Sequence, residues 1–439
     1  MLDIKLFREN PDLIKKSEKK RFRDTDNVDI VIRLDNEWRE SLQKVQELRR
    51  KRNEITKEIS ECYKGLKKAS PEEKKKLQQK AEKLKSSSKQ IGNEITEEEP
   101  KTKELLKERD EYRYKVGNIL DEKVPIAEDE KGDVVLRKSG RKKTFKFPVR
   151  NHVELVETID GADTKKASEI AGNRFYYLKN EIVKLNLALM NFALDILTAE
   201  EYTAIWTPFF ARHEVIKEAA ELADFEEQLY KIQDEDLYLI ATSEQTLAAL
   251  HRQEVLDEKV LPIKYVGVSS CFRREVGSHG KDTLGIFRVH QFEKVEQYVY
   301  CKPEDSPEMH EKMIVLTEKI FKALKIPYRI VNIASGELND NASIKFDLEG
   351  WFPASETYRE LVSATNCRDY QARKLNARFG TIGDPDTYEV VHTLNSTVIA
   401  TERFMCCLLE NNQNEDGSIN IPKALQPYMG GIEVIPARN

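Results

Sequence analysis

The chain has 439 residues, 34% of them charged (72 Lys and Arg against 77 Asp and Glu) and only 39% hydrophobic. That composition is too hydrophilic for one compact globe, so part of the chain is expected to be extended and solvated. No apolar run approaches the ~18 residues of a membrane span, and residues 1–25 carry Asp3, Arg8, Glu9 and a Lys/Arg series where a signal peptide needs an apolar stretch, which excludes neither domain count nor enzyme class but argues against secretion and any membrane partner.

The total charge of −5 hides an asymmetry. Residues 44–89 hold 16 Lys/Arg and 7 Glu, a local +9, which is the electrostatic footprint of a polyanion-binding element; a solvated lysine-rich helix face is the plainer alternative. Apolar or small residues recur at Leu34, Trp38, Leu42, Val45 and Leu48, then at Ile55, Ile59 and Cys62. After Gly65 and Ser70-Pro71 the pattern resumes at Leu77, Ala81, Leu84, Ile91 and Ile95, and continues through Leu105, Tyr112, Val116 and Ile119. Two long helices with one apolar seam each predict an antiparallel coiled-coil hairpin over about 30–120, with a reach of ~50 Å or more. Arg52, Glu98 and Arg109 fall on seam positions, and Pro100 predicts a bend in the second helix.

Val124-Pro125 and the polar run Glu128–Gly132 read as the start of a linker, placed at 123–150 between an N-terminal domain (1–122) and a globular part (151–439). In the latter, Lys179–Ala199 has helical periodicity and Thr203–Phe210 is a short aromatic strand stopped by Pro208. Further strands are expected at Tyr238–Ile240, Ile263–Val276, Gly285–Tyr300, Tyr328–Ile333 and Ile344–Leu348. Strands paired around tight turns, with helices between them, predict an antiparallel sheet in an α+β domain. The six cysteines show no C-x-x-C pair or metal-ligand spacing, which suits a reducing cytoplasm and gives zinc no support.

The richest stretch runs from Cys271 to Glu296. As a hairpin, its alternation puts Arg273 and Glu275 on one face of the first strand and Arg288, Phe292, Lys294 and Glu296 on one face of the second. An exposed polar face with cross-strand ion pairs is the commoner fate of such residues; a site for anions is the other. Here the chain resembles the class II aminoacyl-tRNA synthetases. Phe272-Arg-Arg-Glu-Val-Gly-Ser-His-Gly280 with Arg288-Val-His-Gln-Phe-Glu-Lys-Val-Glu296 resembles their motif 2, in the form found in seryl-tRNA synthetases of the eukaryotic cytosolic type. Ile205-Trp-Thr-Pro-Phe209 is similar to motif 1, Thr242-Ser-Glu244 to the serine-binding triplet, Arg359-Glu-Leu-Val-Ser363 to the strand before motif 3, and Thr393-Leu-Asn-Ser-Thr397 with Thr401-Glu-Arg403 to motif 3. The basic hairpin has the shape that family uses to hold tRNA.

The resemblance implies an α+β fold with a coiled-coil arm and a class II catalytic domain that joins L-serine to tRNA(Ser), and to the selenocysteine tRNA where one is present, through a seryl-adenylate made from ATP. By resemblance, Arg273, Glu275 and Arg403 are catalytic. Thr242, Ser243, Glu244, Arg273, Glu296, Asn395 and Thr397 would bind serine. ATP would lie against Arg273, Arg274, Glu275, Arg288, Val289, Phe292, Glu360, Leu361, Val362, Ser363 and Arg403, with Phe292 stacked on adenine. Glu360 and Ser363 would ligate Mg²⁺, whose preference is for hard oxygen donors. The Pro208 region would form a homodimer interface. Out of context, Phe292 is equally a core residue, and Thr242-Ser-Glu244 a helix N-cap with a first-turn acid. A pocket that binds the serine hydroxyl must leave a buried partner unpaired when alanine enters, and must exclude threonine by one methyl. Two other readings remain: a paralogue that loads a carrier protein, which would lack the arm, and a catalytically dead tRNA binder, which would have lost Arg273, Glu296, Glu360 or Arg403. The chain stops at Asn439 without the basic tail of animal enzymes, so targeting by such a tail is not expected, and Glu402 should point away from the site.

Overall fold

The computed structural model describes residues 1–67, 69–219, 227–276 and 284–438. They form two units, one of residues 3–19 and 23–116, the other of residues 1–2, 20–22 and 117–439.

The first unit is helical: α1 (Ile4–Glu9), α2 (Pro11–Lys20), α3 (Asp26–Leu66) and α4 (Pro71–Arg113). The long pair has 41 and 43 residues, so at ~1.5 Å per residue each spans ~60 Å. Ser70 and Glu73 form a capping box and Pro71 takes the first helical position, where its missing donor costs nothing. Val31, Leu34, Val45 and Leu48 of α3 and Ala81 and Ile95 of α4 are buried in the seam. α4 runs unbroken through Pro100. Each charged seam residue has an accommodation. Arg109 is buried, donates to Asp35 Oδ1 at 2.9 Å and lies 4.9 Å from the centre of the Trp38 ring. Glu98 meets Lys44 at 3.0 Å and Lys101 at 3.3 Å, and Arg52 lies over Gly92, which has no side chain to obstruct it. Asp35 also accepts from Arg8 Nε at 2.7 Å. Burial works against its carboxylate, yet the two guanidiniums hold its pKa below the usual range.

The second unit is built on an eight-stranded sheet: β1 (Val134–Ser139), β2 (Thr203–Trp206), β3 (Ile263–Phe272), β4 (Gln291–Cys301), β5 (Tyr328–Asn332), β6 (Ile344–Phe352), β7 (Thr357–Arg368) and β8 (His392–Ala400). The order is β1-β5-β6-β7-β8-β4-β3-β2, antiparallel except for the β2–β3 pair at one edge. This is the α+β fold expected. The stretch read as a linker contains β1. As an edge strand whose Val134, Val135 and Leu136 all remain exposed, β1 carries no alternation of burial that would mark it in the sequence. Residues 20–22 belong with the sheet because Arg21, buried, donates to the carbonyls of Asn118, Leu338 and Asn339 at 3.1 Å each.

Among its helices, α5 (Asn180–Thr198), α6 (Glu244–Ala248), α7 (Ser306–Ala323) and α8 (Thr401–Asn412) pack against this sheet. Leu185 and Leu189 of α5, Ile314 and Phe321 of α7 and Phe404 and Leu408 of α8 join Val295, Val299, Leu348 and Leu394 of the sheet in the main core. A smaller core gathers Leu247, Tyr298, Tyr300, Leu375 and Val391. Among the described residues no helix is long and apolar enough to cross a membrane.

Removing Asp35 takes a buried carboxylate from both Arg8 and Arg109, and because Asp110 still holds Arg109 at 2.8 Å the cost falls below the ~3–5 kcal/mol of a buried charge left with no partner. Asp35→Ala should therefore speed hydrogen exchange along the lower half of α3 and α4 while the sheet strands keep their protection. Unchanged exchange in α3 would show that the pair does not hold the hairpin root.

Candidate active site

The β3–β4 hairpin pairs from Ile263 with Tyr300 to Phe272 with Gln291. Along β4, Val295, Val299 and Cys301 enter the main core, while Phe292, Lys294 and Glu296 line a cleft. The strands are shorter than the sequence suggested: β3 stops at Phe272 and β4 starts at Gln291, so Arg273, Glu275 and Arg288 lie beyond the ladder and simple alternation does not place them. The Arg273 N–H still donates to the His290 carbonyl at 2.8 Å, and Glu275 then turns through a positive φ of 50°. That turn lets its carboxylate meet Arg288 Nη1 at 3.2 Å, and its own carbonyl accepts from Arg174 at 2.9 Å. The part of the motif from Gly277 to Thr283 lies outside the described residues.

Two cavities, of ≈ 390 Å³ and ≈ 60 Å³, share Arg273, Glu275, Arg288, Lys294, Glu360 and Thr397 as walls. The larger is closed by Thr242 and Glu244 from the start of α6 and by Asn395 and Thr397 from β8. Gly267 makes this closure possible, because a Cβ there would lie 2.7 Å from Leu247 Cδ1 and 3.1 Å from Ser243 Oγ. Glu244 Oε1 accepts from Asn395 at 3.0 Å and from Gln371 at 3.1 Å. Glu296 is buried and its Oε2 meets Lys294 Nζ at 2.5 Å and the Thr397 hydroxyl at 3.3 Å. Burial raises its carboxyl pKa, with Lys294, Thr397 and Arg273 opposing that rise. Lys294 donates as well to Thr242 Oγ1 at 3.1 Å.

The smaller cavity lies among Phe287, Val289, Phe292, Leu361 and Arg403. The Arg273 guanidinium sits 5.2 Å from the Phe292 ring centre and its Nε donates to the Ala241 carbonyl at 3.2 Å. Arg403, in the first turn of α8, lies 3.7 Å from Glu360 and 5.4 Å from the Phe287 ring centre. Glu360 and Ser363 are three residues apart, a spacing that points to opposite faces in a regular strand. The β6–β7 register slips between Leu348 and Glu349, so the extra residue Leu361 forms a bulge, and both Glu360 and Ser363 line the larger cavity. Desolvation works to raise the Glu360 carboxyl, but Arg403, Lys345, Arg273 and Lys294 outweigh it and hold its pKa low. Asp347, paired across the ladder with Ser363, is buried with one oxygen unpartnered among the described residues, and burial pushes its pKa up to about 7.

Three expected contacts lie off these walls. Ser243 is fully buried beneath its segment against Gly267, Val362 is packed in the main core, and Arg274 is exposed with its backbone N–H donating to the Gln228 carbonyl at 2.8 Å. Glu402, expected to point away from the site, instead lines the smaller cavity beside Arg403: it accepts from Tyr176 at 2.6 Å, from the Glu293 N–H at 3.2 Å and from Thr401 at 3.0 Å, and burial followed by the Glu293 charge raises its pKa well above the carboxylate range. Lys294, Lys345, Asn339 and Asn341 also line the larger cavity. Alternation already places Lys294 on this face beside Phe292 and Glu296, without a role; the two asparagines sit in a loop with no local signal.

Residues 1–120 match the family model described as the seryl-tRNA synthetase N-terminal domain, and residues 228–412 match that of the class II tRNA synthetase core domain (G, H, P, S and T). The serine–tRNA ligase of Methanosphaera stadtmanae is 56% identical over the full length of both chains. That of Helianthus annuus is 47% identical over 98% of this chain and 97% of its own. Among solved structures, the seryl-tRNA synthetase of Pyrococcus horikoshii complexed with ATP aligns over all of both chains with a TM-score of 0.91 at 44% identity.

Because Gly267 is where the α6 segment rests on the sheet, Gly267→Val should overpack this contact, at a cost of about 1–3 kcal/mol. A lowered melting temperature, with faster hydrogen exchange over residues 241–248 than over β5 and β6, is the expected result. An unchanged melting temperature would contradict the close approach.

Proposed function

The chain belongs to the seryl-tRNA synthetases of class II, and from that premise we propose how its cleft performs their reaction. The serine carboxylate attacks the α-phosphorus of ATP, forming seryl-adenylate as pyrophosphate leaves, and a terminal ribose hydroxyl of tRNA(Ser) then takes the seryl group. The relatives span archaea and plants, so the branch we propose is the one archaeal and eukaryotic cytosolic enzymes share. The first step brings two anions together and requires a cation where their charges meet.

One observation carries the assignment. Arg288, Lys294 and Arg403 each face a carboxylate, whereas Arg273, on the wall common to both cavities, has a carbonyl and a ring face but no ion pair among the described residues. It is the cation of the shared wall left for incoming charge, and its planar fork, which Lys345 of the larger cavity lacks, suits a carboxylate on one side and a phosphate on the other. Serine lies in the larger cavity among Thr242, Glu244, Glu296, Asn395 and Thr397. ATP lies across the open side of the smaller, whose ≈ 60 Å³ cannot enclose it, with its adenine beside Phe292, Glu275 and the Val289 backbone and its outer phosphates toward Arg288 and Arg403. Glu360 and Ser363, hard oxygen donors with Asp347 behind them, fit Mg²⁺, and would hold it with the remaining ligands coming from phosphate and water. When bound, the ion neutralises phosphate charge. The arm, with +9 over residues 44–89, is the tRNA-binding element. Six buried free thiols fit a reducing cytoplasm.

Dimerisation is supported by an apolar surface on the motif 1 elements. Val183 and Leu187, one turn apart on α5, are exposed together with Tyr177, Phe210 and Trp206, the last 74% accessible beside the Pro208 bend. Exposed apolar side chains of this kind are what a two-fold interface covers.

Serine-dependent exchange of pyrophosphate into ATP tests the cleft. Arg273→Ala should lower it by about 10²–10³-fold with the fold intact, as expected for loss of a group that stabilises transition-state charge. Deleting residues 40–110 should leave exchange nearly unchanged and abolish charging of tRNA(Ser). An active Arg273→Ala enzyme would sink the cleft assignment, and intact charging by the deletion would sink that of the arm. Sedimentation of the native chain should give a dimer and of Trp206→Glu a monomer; a native monomer refutes the interface.

A further inference from the structure

We propose that Lys294 is the positioning residue that makes the larger cavity selective for the serine side-chain hydroxyl. This rests on the reading above, in which that cavity holds serine. Lys294 is 6% exposed on the cleft face of β4, and two of its three N–H groups go to Glu296 Oε2 at 2.5 Å and Thr242 Oγ1 at 3.1 Å. Each contact fixes the polarity of a group that would otherwise be ambiguous.

Thr242 Oγ1 accepts from Lys294 Nζ and from the Glu244 N–H at 3.2 Å. With both lone pairs engaged, its own proton must be donated, and the residue lines the cavity. On Glu296 the two partners, Lys294 Nζ and the Thr397 hydroxyl, sit on Oε2, which leaves Oε1 as an acceptor for a ligand. Thr242 and Glu296 therefore present one obligate donor and one obligate acceptor. A primary hydroxyl, which donates and accepts, satisfies both. Alanine satisfies neither and leaves two buried polar groups unpaired, while a thiol is weak in both roles. Lys294 also balances the Glu296 charge before any substrate arrives, so Glu296 acts here as a hydrogen-bond acceptor for the hydroxyl.

The test compares kcat/KM for serine and alanine in pyrophosphate exchange by the full-length protein. Lys294→Met should narrow the serine-to-alanine ratio by about 10–100-fold, raise KM for serine and leave KM for ATP within about twofold. Lys294→Arg, which keeps charge and donors, should restore most of the ratio. Thr242→Val removes the polarised hydroxyl without touching the buried charge and should narrow the ratio alone, so it decides the matter even where Lys294→Met fails to fold. A wild-type ratio in folded Lys294→Met or in Thr242→Val overturns the proposal, since a purely structural lysine would lower all rates together. If the unaltered protein shows no serine-dependent exchange, it is the assignment of the cavity to serine that fails.

Discussion

Alternation along β4 is the constraint on which the rest of the catalytic unit depends. One set of side chains, Val295, Gln297, Val299 and Cys301, faces the helices. Gln297 belongs to that side because its amide reaches Thr317 of α7 at 3.3 Å. The other set changes character along its length: Phe292, Lys294 and Glu296 line the cleft, and Tyr298 and Tyr300 enter the second core. The cleft therefore ends where the second core begins, and the two are joined. Tyr298 donates to Gln371 Oε1 at 2.6 Å, and Gln371 donates in turn to Glu244. A shift of one residue in the β4 register would put Lys294 and Glu296 under α7 and Val295 into the cleft, so the same pairing that builds the core fixes the chemistry.

The electrostatics of the cleft follow from its task. A site that must receive two anions needs cations, and cations gathered without ligand repel. Here Arg288, Lys294 and Arg403 are each held by a carboxylate of Glu275, Glu296 or Glu360. The pairs fix geometry in advance, which costs less when the substrate arrives than ordering free side chains would. They also explain why both signs of charge accumulate in the same short motifs. Glu402 belongs to a different balance. Its buried carboxyl, against Tyr176 and the Glu293 backbone, anchors the start of α8 from below, and the next residue, Arg403, then projects into the cleft.

What was legible in the sequence was whatever repeats at a fixed period or stands in a recognised order. The hairpin arm follows from its seam, and the cleft face of β4 from a two-residue period. What failed did so where the backbone leaves its period. Arg273, Glu275 and Arg288 reach the cleft from beyond the strand ends through a positive φ at Glu275, and alternation gave their location for the wrong reason. Glu360 and Ser363 share a face only because Leu361 bulges, and a bulge has no residue signature of its own. Ser243 and Val362 were carried along with their motifs, although Ser243 is wedged against Gly267 and Val362 packs in the main core. β1 was missed because an edge strand exposed on every side has nothing to alternate.

The arm meets the opposite requirement from the cleft. In the cleft, positive charge is neutralised until a substrate displaces the balance; along the arm it is left to solvent. Two of the three seam charges are consumed internally, Arg109 by Asp35 and Asp110 and Glu98 by Lys44 and Lys101, while Arg52 counts toward the surface excess. What remains over residues 44–89 is the excess of +9, spread over helices ~60 Å long. With a screening length of ~8 Å at physiological salt, the field at any point on such an arm comes from the nearest two turns and not from the chain total of −5. A protein can thus be acidic overall and still present RNA with a basic surface, provided the basic residues lie on an element much longer than the screening length.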